Sequence, residues 1–465
     1  MSTTTKQNYI LKEIEGDLIT PISVFKRLKG RKKFLFESSY KHEESGRYSF
    51  LGLNPYLEYK AIACDVYISS DSKNQKDFFK GNPIEKLKKM FPIKDMESLP
   101  FPFFGGAIGF IGYDVIRHFE QIGDELNDSM KMPDIHLMFY EDIVVFDHLF
   151  QKVYVVSLNL SGDRTDEEMN ETVQKIEQDI LQESMFRNQV KVEPLDFESN
   201  HTFEEYCEKV RKAKNHIIKG DIFQVVLSQR LKASFKGDSF EFYRQLRRVN
   251  PSPYMFYIDF ESYTIIGASP ESLIKVTGNK VMTNPIAGTR PRGLTKQEDV
   301  KLEKDLLADE KEIAEHHMLV DLGRNDLGKV CEIGSIKVAK DKAVEKYKHV
   351  MHIVSEVTGE LKKHVHPLDA LMSILPAGTV SGAPKIRAMQ IINDLETEKR
   401  GVYAGAIGYM SANGDFDFAL AIRTMVVKDQ VAYVQAGAGI VYDSIPEKEY
   451  EETLNKAKAL LEVEA

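Results

Sequence analysis

Two segments in the C-terminal half each carry a Glu-x-x-Glu pair: Glu312 and Glu315 in KEIAEHHMLVDLGRND, and Glu449 and Glu452 in PEKEYEETLNKAKALL. Carboxylates three apart share a helix face, so two such faces brought together would offer the oxygen-only site that Mg²⁺ takes. The chain holds 71 acidic residues, so the spacing alone is also that of a solvated helix surface. Register adds an argument for the second pair. On a helix Tyr450, Leu454, Ala457 and Leu461 form the buried stripe, while Glu449, Glu452 and Lys456 gather on a neighbouring face. A cation beside two carboxylates suits an anionic ligand bound with a metal.

The stretch DFALAIRTM alternates, with Phe416, Phe418, Leu420 and Ile422 on one face and Ala419, Ala421 and Arg423 on the other. Two alanines beside an arginine leave room for a planar acid to reach the guanidinium. An edge-strand arginine facing water accounts for the pattern equally well. In YAGAIGYM, Tyr403 and Gly405 fall on one strand face, and glycine inside a strand marks close approach by a ligand or backbone. QAGAGIVYDS imitates a dinucleotide fingerprint, but Tyr442 stands where the third glycine belongs and Pro446 delays the helix. The backbone amides of Gly437 and Gly439 remain able to line an anion pocket. GTVSGAPK is too short between its glycines for a phosphate loop and has Pro384 before Lys385, which leaves a turn feeding a helix N-terminus. His316 and His317 are adjacent and face different sides of a helix, without zincin spacing. There is no G-x-S-x-G elbow and no cysteine in a glycine-rich elbow, so nucleophilic catalysis finds no support. These residues alone point to a Mg²⁺-dependent enzyme acting on a small carboxylate, with a non-enzymatic small-molecule sensor left open.

At 465 residues the chain can bury a sizeable core, and its net charge of -9, with both signs interspersed, provides no basic footprint for nucleic acid. Cys64, Cys207 and Cys331 are scattered, which fits a reducing cytoplasm and supplies neither a disulfide framework nor a zinc knuckle. The start MSTTTKQNYILKEIEGD lacks a charged region followed by an apolar core, and FPFFGGAIGFIGYDVI is too short and too interrupted to span a membrane. A cytoplasmic protein that binds no membrane and no nucleic acid is expected. Tryptophan is absent from the sequence.

The elements that would position these groups follow an α+β pattern. Residues 1 to about 160 read as short strands and connecting helices, ending in the hairpin IVVFDHLFQKVYVVSLNL. A charged stretch near residues 161–200, with the surface helix DEEMNETVQKIEQDILQESM, marks a boundary, giving regions 1–195 and 196–465. Beyond it come a helix over 203–219, the strand IFQVVLSQRLKA, YTIIGAS, and the hairpin LIKVTGNKVMTNPI turning at Gly278-Asn279. One long helix is expected from about Gln297 to Leu322, then a helix after SGAPK, the strands YAGAIGYM, FDFALAIRTMVV and QVAYVQAG, and a final helix. Strands in hairpin order between helix runs argue for antiparallel sheets.

The ordered set GDIFQVVLSQR, NPSPYMFY, ASPES, PIAGTRPRG, KEIAEHHMLVDLGRNDLG, MHIVSEVTG, PAGTVSGAPK, YAGAIGY, AIRT, AGAGIV and YEETLNKA, nearly continuous over about residues 200–460, resembles the chorismate-binding enzymes. The resemblance implies a two-domain α+β fold, an α/β sandwich of large antiparallel sheets flanked by helices with the active site in a cleft. Carried over by motif, Glu315 and Glu452 would hold Mg²⁺, with Glu312 and Glu449 close by. Tyr403, Arg423, the backbone of Gly437, Ala438 and Gly439, and Lys456 would bind carboxylates, and Gly288 and Thr289 would line the site. Glu271, His352 and Thr379 would be catalytic: Glu271 would protonate the departing 4-hydroxyl, Thr379 would approach the ring, and His352 would assist loss of pyruvate.

Two positions select a branch of that family. Relatives that add water place a base lysine where this chain has Gln224, and relatives forming aminodeoxychorismate commonly carry a nucleophilic lysine in PIKGT where this chain has Ala287. Ammonia needs no base to attack and a methyl group cannot attack, so direct amination at C2 is implied, giving anthranilate and pyruvate by a lyase reaction that opens tryptophan biosynthesis. The alternative is an aminodeoxychorismate-forming component of the folate pathway. No segment offers the cysteine elbow of a glutamine amidotransferase, so a separate amidotransferase subunit is expected to supply ammonia. FLFESSYK and RYSFLGLNP extend the resemblance into the N-terminal half, where Glu37, Ser38, Pro253, Tyr254 and Met255 would form an inhibitory site for L-tryptophan. A turn with ordinary core packing accounts for the same residues. A chain without tryptophan fits an enzyme needed when tryptophan is scarce.

Overall fold

The computed structural model describes residues 9–38, 46–70, 74–91, 99–182, 195–347 and 350–461. Within them lie two twelve-stranded sheets, every strand pair antiparallel. The centre of the first sheet runs Phe34–Glu37, Tyr254–Asp259, Tyr263–Ser269, Thr424–Lys428, Val431–Ile440 and Gln224–Ser234. The centre of the second runs Val350–Glu360, Lys280–Thr283, Ser272–Thr277, Phe416–Leu420, Ala406–Ser411 and Gly106–Ile111. Both sheets cross residue 195: Phe34–Glu37 pairs with Tyr254–Asp259, and Gly106–Ile111 pairs with Ala406–Ser411.

Alternation along the strands builds the layers. Between the sheets Phe34, Phe50, Phe256, Ile265 and Val426 of the first meet Phe110, Met138, Tyr140 and Ile407 of the second, all buried. The outer face of the first sheet packs on helices Pro21–Arg27, Asp166–Leu181, Ser239–Val249 and Pro446–Leu461. That of the second packs on Pro83–Met90, Glu310–Gly328 and Pro367–Ile374. The result is a helix, sheet, sheet, helix sandwich, the α+β architecture that the hairpin order implied. No helix among the described residues is long and apolar enough to cross a membrane.

Three local expectations are corrected. DFALAIRTM is not one strand: Phe416–Leu420 belongs to the second sheet and Thr424–Lys428 to the first, so Ala421 to Arg423 carry the chain across, with Arg423 at φ 48°. The neighbouring chain crosses at the same level, since Tyr263–Ser269 lies in the first sheet and Ser272–Thr277 in the second, leaving Pro270 and Glu271 between them. The crossings are tied side by side by Leu420 N to Glu271 O (3.0 Å), Ala268 N to Arg423 O (3.1 Å) and Ser269 Oγ to Leu420 O (2.7 Å). Alternation could not reveal this, because each half keeps its period while the sheet it serves changes. Similarly, the strand of YAGAIGYM begins at Ala406, and Tyr403 and Gly405 precede it in a turn with Ala404 at φ 64°.

The single long helix is two, Lys296–Ala308 and Glu310–Gly328. Asp309 ends the first and caps the second, its carboxylate accepting from Lys311 N (3.0 Å) and Glu312 N (3.3 Å). Arg290 holds the other oxygen of Asp309 at 2.6 Å, fixing the break six residues before Glu315. The helices over 203–218 and 385–395 and the hairpin through Gly278 are found where the sequence places them.

Candidate active site

The two sheet crossings place Glu271 and Arg423 beside each other in the fold. Thr379, on the short 3-10 turn Gly378–Val380, donates its hydroxyl to Glu271 Oε1 at 2.8 Å. Burial raises the Glu271 carboxyl from 4.5 to about 7, although the Thr379 hydrogen bond and the charges of Lys456 and Arg423 pull the other way. A carboxylic acid half-protonated near neutrality suits general acid work.

Strand Val431–Ile440 lies against Gln224–Ser234, with Ser228 opposite Gly437 and Val226 opposite Gly439. Its other neighbour, Thr424–Lys428, pairs only as far as Val434, so among the described residues 435–440 have one edge without a strand partner. The glycines have a steric reason as well. A Cβ on Gly437 would lie 2.7 Å from the Tyr403 hydroxyl, and one on Gly439 would lie 2.8 Å from Gln224 Nε2. Ala438 between them is fully buried. Lys456 reaches back from the last helix to Gly437 O at 3.1 Å.

A third wall is strand Ile286–Pro291 beside Val350–Glu360, with Thr289 opposite His352. His352 Nδ1 lies 2.9 Å from Gly288 O and 3.1 Å from Thr289 Oγ1. A carbonyl only accepts, so Nδ1 carries the proton and Nε2 is the basic nitrogen. Burial lowers the His352 pKa, which keeps the ring neutral. Gly288 has φ 69°, and a Cβ there would meet Leu306 Cδ1 (3.1 Å), Ile353 Cδ1 (3.2 Å) and Glu312 Oε2 (3.3 Å). Ala287 is buried and its methyl offers no nucleophile.

The segments that carry the two Glu-x-x-Glu pairs are linked by an ion pair. Lys311, adjacent to Glu312, pairs with Asp443 at 2.9 Å, tying helix Glu310–Gly328 to the loop before Pro446–Leu461. Glu312 takes Arg290 at 3.3 Å, Glu452 takes Lys456 at 2.7 Å, and Glu315 accepts from Gln224 Nε2 at 3.2 Å. Burial and the neighbouring carboxylate push up the carboxyls of both Glu312, beside Glu315, and Glu449, beside Glu452. No three His, Cys, Asp or Glu side chains stand close enough among the described residues to close on a metal by themselves. Two crowded all-oxygen pairs nevertheless fit a hard dication that keeps several waters and takes only one or two carboxylates from the protein.

In helix Pro446–Leu461 the buried positions are Thr453, Ala457 and Leu460, with Tyr450 and Leu454 half-buried. The stripe thus turns slightly from the expected one, and the Leu461 side chain lies outside the described residues. Gln224 adds a feature that spacing did not signal: its amide nitrogen is committed to Glu315, leaving its buried Oε1 without a hydrogen-bond partner. Arg290, Lys311 and Asp443 were missed as well, since their partners are remote or unmarked in sequence.

The expected inhibitory set lies on and beside the adjacent strands Phe34–Glu37 and Tyr254–Asp259 of the first sheet. Glu37 is buried opposite Met255 and accepts from Tyr243 Oη (2.7 Å) and Arg247 Nη2 (3.0 Å). Its carboxyl is pushed up by burial, against the pull of Arg247. Tyr254, which follows Pro253, hydrogen-bonds Asp417 Oδ1 at 3.0 Å, and Ser38 is half-buried at the end of strand Phe34–Glu37. Tyr254 faces Ser269, two residues before Glu271.

Fold and sequence together define the class: residues 31–462 match the model of the chorismate binding enzyme family, and the chain belongs to that family. Among its relatives, anthranilate synthase component 1 of Lactococcus lactis is 50% identical over 456 residues, covering 97% of this chain and 99% of that protein. Its counterpart in Acetivibrio thermocellus is 49% identical, covering 97% and 93%. The crystal structure of anthranilate synthase component I from Streptococcus pneumoniae superposes with a TM-score of 0.84 at 45% identity, covering 96% of this chain and 98% of that one. The menaquinone-specific isochorismate synthase of Escherichia coli shares the fold, with a TM-score of 0.74 at 18% identity.

Proposed function

We propose that this chain is the component that converts chorismate and ammonia to anthranilate and pyruvate, a lyase reaction serving tryptophan biosynthesis. Near-full-length identity of 42–50% to anthranilate synthase component 1 of several bacteria supports this reading. The single observation that carries it within the site is Gln224, which stands where water-adding relatives place a base lysine and whose buried Oε1 has no hydrogen-bond partner, leaving an acceptor for an incoming N–H. Ala287 supplies no nucleophile, which sets the aminodeoxychorismate alternative aside.

In this reading Arg423, Tyr403, Lys456 and the Gly437–Gly439 edge bind the carboxylates of chorismate. Glu315 and Glu452, with Glu312 and Glu449 close by, would hold Mg²⁺, which when bound would neutralise and polarise the ring carboxylate. Ammonia attacks C2 while Glu271 donates its proton to the departing 4-hydroxyl, which leaves as water. Thr379 orients that acid toward the ring. Loss of the C2 proton then expels the enolpyruvyl oxygen, and the ring becomes aromatic; neutral His352 presents Nε2 to this second step. Protonation of the expelled enol at its methylene carbon completes pyruvate.

Ammonia comes from glutamine through a separate amidotransferase subunit, in keeping with the "component 1" naming of the relatives. L-Tryptophan binds near Glu37, Ser38, Pro253, Tyr254 and Met255 and inhibits. The strand Tyr254–Asp259 neighbours the strand that leads into Glu271, which gives that site a short mechanical link to the acid. Three free cysteines are compatible with a cytoplasmic setting. Incubation of the purified chain with chorismate, Mg²⁺ and an ammonium salt should yield anthranilate, seen by its fluorescence, and equimolar pyruvate. Accumulation of a non-aromatic amino-chorismate would refute the proposal.

A further inference from the structure

One buried guanidinium touches three segments that carry candidate site residues, those of Thr379, Gln224 and Tyr403. Arg400 is 2% exposed and donates from Nη1 to Val380 O (2.6 Å), from Nη2 to Val226 O (2.8 Å), and from Nη2 and Nε to Glu396 (2.6 and 2.8 Å). Val380 follows Thr379, the partner of Glu271. Val226 lies opposite Gly439 and two residues from Gln224. Glu396 in turn accepts from Ser228 N (2.9 Å) and Ser228 Oγ (2.8 Å), and Ser228 lies opposite Gly437. The guanidinium carbon sits 5.5 Å from the Tyr403 ring centroid and 4.9 Å from that of Tyr113.

Burying an ion pair is costly, and well-packed apolar residues of similar volume would commonly hold a core as well or better. A planar fork of five N–H donors does something apolar residues cannot, since it fixes carbonyls, a carboxylate and a ring in one geometry. Here Val380 adjoins Thr379, Val226 is two residues from Gln224, the Tyr403 ring belongs to the candidate site itself, and Glu396 reaches it through Ser228 opposite Gly437. Resting on the function proposed above, we propose that Arg400, locked by Glu396, is a positioning residue that sets the mutual placement of Thr379, Gln224, Tyr403 and Gly437. It does so without touching substrate. Lysine cannot substitute, because one ammonium cannot bridge two carbonyls and a bidentate carboxylate in a plane.

The test compares Arg400→Lys and the apolar double variant Arg400→Met with Glu396→Met against wild type. The readouts are the chorismate KM and the pH limb of kcat/KM, neither of which depends on the fraction of protein that folds. Displacing catalytic groups by about an ångström costs roughly a hundredfold in rate. Arg400→Lys should therefore lower kcat by about a hundredfold, raise the chorismate KM roughly tenfold and move the pH limb. The double variant should melt near the wild-type temperature while showing the same kinetic losses. A folded double variant with wild-type KM, kcat and pH limb would overturn the proposal, as would Arg400→Lys protein whose only defect is a smaller folded fraction. If wild type makes no anthranilate, the functional reading fails on its own. Chorismate affinity by calorimetry then judges the hub, with roughly tenfold weaker binding by Arg400→Lys expected and equal binding overturning it.

Discussion

Replacing Glu271 by glutamine removes a carboxyl whose ionisation the fold opposes, so the variant should be the more stable protein above neutral pH. Burial raises this group from 4.5 to about 7. Below pH 4.5 the carboxyl is protonated in both folded and unfolded chains and contributes no pH-dependent difference. As pH rises, the unfolded chain ionises first, and stability is lost until the folded group also ionises near pH 7. Each unit of separation corresponds to about 1.4 kcal/mol, so wild type gives up roughly 3.3 kcal/mol by pH 8 and only roughly 0.8 kcal/mol by pH 5. Glutamine has no such dependence. The stability difference between variant and wild type, from urea unfolding, should therefore shift in favour of Glu271→Gln by about 2.5 kcal/mol between pH 5 and pH 8. Taking the difference between two pH values cancels any fixed effect of the new amide. A difference that does not change with pH would show that Glu271 is not held protonated by burial and would remove it as the acid.

Thr379→Val deletes a hydroxyl that donates to the Glu271 carboxylate and so favours the protonated acid; the basic limb of kcat/KM, expected near pH 7, should move up by about one pH unit or more. A limb that stays in place would refute that link. Glu452→Gln should leave the far-UV circular dichroism unchanged but raise the Mg²⁺ concentration for half-maximal activity by roughly tenfold or more, and an unchanged Mg²⁺ titration would refute the assignment. Ser38→Ala should weaken inhibition by L-tryptophan without changing the uninhibited rate, and inhibition curves that superpose on wild type would remove Ser38 from the inhibitory site.

Element types were legible because period and turn chemistry are local. The hairpin at Gly278, the helices over 166–181 and 203–218, and the run of antiparallel strands all follow from spacing and turn residues. What spacing hid was the change of sheet at Glu271 and at Ala421–Arg423, where the chain keeps its alternation on either side while serving a different layer. Those crossings bring the acid and the arginine together. The break at Asp309 was hidden too, because the residue that enforces it, Arg290, lies 19 positions away. Within the site, residue types and family motifs named the groups that the fold gathers, including Glu271 with Thr379 and His352 with Gly288 and Thr289. They could not show the orphaned oxygen of Gln224 or the Arg400 fork, since both depend on tertiary contacts that leave no periodic trace.

The most direct test of the central claim is the product formed by this chain alone from chorismate, Mg²⁺ and an ammonium salt. Anthranilate fluorescence should rise together with stoichiometric pyruvate, and should vanish when ammonium is withheld. Aminodeoxychorismate, isochorismate or salicylate as the product, or no consumption of chorismate at all, would contradict the account.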